Sequence, residues 1–62
     1  MTDSEFANTE RYASEIAGYL GISFYRMRQV LQMMRFDGVD CTKYRRFPKS
    51  VVLKIINYYR AL

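Results

Sequence analysis

Histidine and tryptophan are absent from this 62-residue chain, cysteine and proline occur once each, and glycine occurs three times. Without histidine there is no Ser-His or Cys-His nucleophile pair and none of the usual imidazole-containing metal clusters. A Gly-rich phosphate loop is also missing, and so short a chain has little room for a closed pocket. The sequence therefore predicts no enzyme, no metal and no cofactor. A single cysteine, Cys41, rules out an intrachain disulfide and fits a reducing compartment. No apolar run comes near the ~20 residues of a membrane span, and nothing resembles a signal peptide. A soluble cytoplasmic protein without a membrane partner is expected.

Half the residues are hydrophobic and 16% are aromatic, enough for one compact core and too many for a disordered chain. A single domain is the only arrangement the length allows. At this size about 60% of the unfolded surface is buried on folding, so stability is modest. The net charge of +4 is unevenly spread. Residues 1–22 carry Asp3, Glu5, Glu10 and Glu15 against Arg11 alone, a net of −3. Residues 23–62 carry nine bases against Asp37 and Asp40, a net of +7. Such segregation points to a polyanion on one side of the fold.

Residues 1–10 lack sustained periodicity and read as a loosely ordered terminus, with Phe6 available to pin it to the core. Ser14-Glu15 opens a helix over 14–21, with Ile16, Ala17 and Leu20 on one face and Gly21 as its stop. Ser23 comes at once as the cap of a second helix over 23–35. There Met27, Val30, Leu31 and Met34 recur at i, i+3, i+4 and i+7, a stripe for burial. Tyr25, Gln29 and Gln32 fall nearly opposite it, Arg26 and Arg28 lie on its flanks, and Phe24 leans inward. Asp37-Gly38 is a strong turn signal, and Lys43-Tyr44-Arg45-Arg46-Phe47 reads as a short strand. Residues 36–47 thus predict a two-stranded hairpin. Pro48 opens a last helix over 48–61 whose inner face is Val52, Ile55, Ile56 and Tyr59.

Ala17 at a close helix contact, Gly21 four residues later and the apolar set Ile16, Leu20, Ile22, Met27 and Val30 fit a helix–turn–helix. This stretch resembles the bacterial helix–turn–helix signature. The segment KYRRFPKSVVLKIINY is similar to the wing and following helix of the MerR family. MerR regulators continue into a dimerising helix and an effector domain, whereas this sequence ends at Leu62. What remains resembles the stand-alone excisionase-like relatives of phages and mobile elements. The fold expected is mainly α with a small β-hairpin wing, a winged helix–turn–helix.

The resemblance implies double-stranded DNA as partner, read by the second helix in the major groove inside a bacterial host cell. Arg28 suits guanine O6 and N7, Gln29 and Gln32 suit adenine N6 and N7, and Tyr25 suits a thymine methyl or a phosphate. Ser23 and Arg26 are expected to fix the helix on the backbone. Lys43, Arg45 and Arg46 in the wing would hold phosphates or enter the minor groove. Each of these polar residues also reads as a merely solvated one. The expected roles are a small transcriptional regulator or an excisionase, with weak self-association on repeated sites and a possible integrase partner. The alternatives are a module that binds a host protein and a packaging domain like that of a terminase small subunit.

Overall fold

The computed structural model describes residues 1–62 and contains four helices: α1 (Asp3–Phe6), α2 (Ala13–Leu20), α3 (Phe24–Phe36) and α4 (Lys49–Arg60). α3 packs against α2 and α4, and α4 also meets α1 and α2. The core between them is wholly apolar. Ile16, Met27, Val30, Val52, Ile55 and Ile56 have no exposed surface, and Ala17, Met34, Val51, Phe6, Ala7, Cys41 and Phe47 complete it. No helix is long and apolar enough to cross a membrane.

The expected loose amino terminus is replaced by a short ordered turn. Thr2 Oγ1 accepts the Glu5 N–H at 3.1 Å, while the Glu5 carboxylate accepts the Thr2 N–H at 3.0 Å. This reciprocal pair satisfies two donors that the helix start would leave orphaned. Phe6 is then buried, its ring stacked on Tyr19 at 4.0 Å and covered by the Arg11 guanidinium at 4.1 Å. Asp3 binds Arg60 at 2.7 and 2.9 Å and accepts the Tyr19 hydroxyl at 2.6 Å. The Arg60 bond, and then the Tyr19 bond, hold the Asp3 carboxyl below its ordinary range. Both ends of the chain are thereby tied together.

α2 begins one residue earlier than Ser14 suggests. The Glu15 carboxylate accepts the Tyr12 N–H at 2.8 Å and draws Ala13 into the helix. α3 begins after Ser23, whose Oγ accepts the Arg26 N–H at 3.0 Å. Pro48 stands just before α4, where a missing N–H costs nothing.

There is no β-hairpin wing, so the winged architecture is overturned. Phe36, expected as the first strand residue, is the last residue of α3. Asp37-Gly38 does not turn a hairpin but closes that helix. Gly38 has φ +91°, its N–H reaches the Arg35 carbonyl at 3.1 Å, and the Val39 N–H reaches the Met34 carbonyl at 2.8 Å. This is the two-bond closure that a left-handed glycine makes at a helix end. The second expected strand does not pair with the first either. Phe47 instead exchanges two backbone bonds with Arg11, at 3.1 and 2.8 Å, as an isolated antiparallel bridge. Residues 37–48 form an irregular loop, held inward by Cys41 and Phe47, which are 2% and 3% exposed. Burial of these two side chains outweighs an alternating strand that would leave one of its faces in water.

Candidate nucleic-acid interface

α3 owes its regularity to its composition. It has no glycine, no proline and one β-branched residue, Val30, and Ser23 caps its start. Met27, Val30 and Met34 are buried, so the opposite side faces solvent. At about 100° per residue, Tyr25, Gln29, Gln32 and Phe36 recur at i, i+4, i+7 and i+11 along that open side. Arg28, Arg35 and Phe24 flank this line on one side, and Arg26 and Met33 on the other. The helix carries Arg26, Arg28 and Arg35 and no acid.

The structure brings the four expected base-reading residues together. Tyr25, Arg28, Gln29 and Gln32 line one shallow depression with Phe24, Arg26 and Met33. Tyr25 is 69% exposed. Arg28 takes part in none of the ion pairs of the fold. The one bond within this set joins Arg26 Nη1 to Gln29 Oε1 at 3.5 Å, the outer limit for such a contact. Arg26 also borders a second depression beside Tyr59, Arg60 and Leu62, at the end of α4.

The expected phosphate-contacting residues are less uniform. Ser23 Oγ accepts the Arg26 N–H as the cap of α3 and keeps its own O–H, which stands at the amino end of that helix. Lys43, Arg45 and Arg46 lie in the irregular loop and not on a wing. Lys43 Nζ stands 5.3 Å above the Tyr44 ring. Arg46 is held by Glu10 at 3.3 Å and stands over the Tyr12 ring at 5.5 Å. Arg45 is exposed and takes part in no ion pair.

Phe24 corrects an expectation: it is 53% exposed and does not lean into the core. Phe36, expected in the wing, stands 82% exposed at the end of α3. Continuing the spacing Tyr25, Gln29, Gln32 by one more turn marks its position, and that signal is lost once Phe36 is assigned to a strand. Arg35, within the expected helix, also flanks the open side.

Elsewhere, titratable groups serve the fold. Thr42 donates its hydroxyl to Asp40 at 2.6 Å and its N–H at 2.9 Å, and these bonds lower the Asp40 carboxyl. Tyr58 donates to Asp37 at 2.6 Å, which raises the phenol. Burial raises the Cys41 thiol and so disfavours the reactive thiolate. No group of three His, Cys, Asp or Glu side chains is assembled. Comparison with family models, curated proteins and solved structures finds no match for this chain.

Proposed function

We propose that this protein binds double-stranded DNA by laying the open side of α3 in the major groove. The observation that carries the reading is the composition of that side. It presents three arginines, two glutamines and a tyrosine, with no acid on the helix and one long internal bond among them. A helix fits the width of the major groove, and these side chains match what base edges offer there. Arg28 reads guanine, Gln29 and Gln32 read adenine, and Tyr25 meets a thymine methyl or a phosphate. Ser23, Arg26, Lys43, Arg45 and Arg46 supply phosphate contacts from the helix start and the 37–48 loop. If about five to seven phosphates are neutralised, the log–log salt slope lies near −5 to −6. Regulation of transcription, excision and DNA packaging in a bacterial cell would all use this same contact.

Selection of duplexes from a random pool tests the reading. Enriched sequences are expected, and Arg28→Ala should lose preference at one position at a cost of about 1–3 kcal/mol. Lys43→Ala should weaken every duplex alike and lower the salt slope by about one. The exposed rings of Phe24 and Phe36 favour a second reading, a module that binds a host protein. A pool that returns no enrichment over random DNA removes base reading and leaves that module in its place.

A further inference from the structure

The Phe36 ring is not packed on the core and takes no part in the hydrogen-bonded readout by Arg28, Gln29 and Gln32. It is 82% exposed, its neighbours on the open side are Gln32 and Arg35, and no core residue covers it. Yet it lies on the same line as Tyr25, Gln29 and Gln32, one helical turn beyond Gln32. Eleven residues at 1.5 Å each place Phe36 about 16 Å along the axis from Tyr25. That distance spans about five base-pair steps at 3.4 Å per step. A helix lying along the groove therefore brings both rings to its floor, at the two ends of the glutamine pair.

Among the groups that base pairs present in the major groove, the one apolar group is the 5-methyl of thymine, and phenylalanine is a natural partner for it. Phe36 can neither donate nor accept a hydrogen bond, so phosphates and purine edges give it nothing. Arg26, Arg28 and Arg35 on the same helix, with no acid among them, select a polyanion as the molecule that covers the ring. Resting on the DNA-binding reading, we propose that Phe36 is a specificity-determining residue that contacts a thymine methyl in duplex DNA. The preferred site then carries thymine at the end opposite that met by Tyr25, with adenine between them facing Gln29 and Gln32.

The test uses the full chain and the best duplex from the random pool, with each thymine replaced singly by uracil, which removes only the methyl group. One position near an end of the site should lose about fourfold in affinity, the worth of one buried methyl converted to a binding ratio. Phe36→Ala should weaken the thymine duplex by at least as much and abolish the difference between thymine and uracil there. Arg28→Ala should keep that difference. Phe36 is exposed, so the variant should fold, and its unfolding midpoint measured in parallel establishes that it has.

If the duplex is enriched but every uracil replacement is silent, or no uracil penalty is lost in Phe36→Ala, the thymine contact is wrong and the DNA-binding reading stands. If no duplex is enriched, both fall. A single strand of the same sequence that binds as tightly as the duplex also overturns the groove contact.

Discussion

Gly21 and Gly38 close their helices alike, and the chain leaves them in opposite ways. Both take positive φ, +70° and +91°. At each, the residue after the glycine bonds back across the last turn: Ile22 N–H to Ala17 at 3.0 Å, Val39 N–H to Met34 at 2.8 Å. The difference lies two residues on. Ser23 captures an N–H three residues ahead, that of Arg26, and so launches a helix. Asp40 captures an N–H two residues ahead, that of Thr42, and so makes another turn. Apolar residues after Ser23 are buried from a regular helix, whereas Cys41 and Phe47 are buried, and Tyr44 half-buried, from an irregular loop. Closing a helix is thus a local matter. The path of the chain beyond it is decided by the next capping side chain and by where the next apolar groups are buried.

The strongest way to break the contrast is to release the loop from the core. Phe47→Ala should cost about 3–5 kcal/mol, the usual cost of deleting a buried ring, which is a large share of a small domain's stability. Urea unfolding measures it. A loss below about 1 kcal/mol would show that the loop is not anchored by this ring. Next in size, Gly21→Ala and Gly38→Ala should each cost about 1–2 kcal/mol. An added Cβ meets nothing within 4 Å at either position, so the penalty is backbone strain alone and should match at both. Unequal costs would mean that the two closures differ in kind.

The helical part of this molecule is legible in the sequence because its signals are local. Ser23 as a cap, Gly21 as a stop and the stripe of Met27, Val30 and Met34 each come from spacing within a turn or two. The grouping of Tyr25, Arg28, Gln29 and Gln32 comes from the same period. The hairpin expectation fails because Asp-Gly serves equally well at a tight hairpin turn and at a helix end. Partners distant in sequence make the choice: Arg11 for Phe47, and Tyr58 for Asp37. The ordered amino terminus escapes a local reading for a similar reason, since Asp3 is held by Arg60 from the far end of the chain. The exposure of Phe24 and Phe36 is hidden when aromatics are treated as core residues or strand formers.

A smaller change sharpens the comparison at the capping side chains. Ser23→Ala removes the acceptor for the Arg26 N–H and should cost about 1 kcal/mol, whereas Ser23→Asp restores it and suits the positive helix end. Asp40→Asn keeps an oxygen for Thr42 and should change stability by less than about 0.5 kcal/mol. Thermal melting of the three variants gives the order. Fraying at the start of α3 should also weaken binding to a selected duplex, because Tyr25 and Arg28 sit in its first turns.

The smallest effect expected concerns the bases themselves. On α3, Arg28 is free of acids, but in the loop Arg46 is held by Glu10 at 3.3 Å, with both side chains about half exposed. An exposed pair of this kind contributes about 0.2–1 kcal/mol, so Glu10→Gln should lower the unfolding midpoint by no more than loss of the Ser23 cap does. The same change frees Arg46 and makes the net charge more positive by one unit, which matters to a polyanion. Affinity for any duplex should rise by about two- to fivefold at low salt, since 1 kcal/mol is a factor of about five, and the gain should fade toward higher ionic strength. The preference among duplexes should not change, because a phosphate contact carries no base information. Measured against several duplexes and salts, unchanged affinity would place Arg46 outside the bound surface and leave α3 to hold the DNA without that part of the loop.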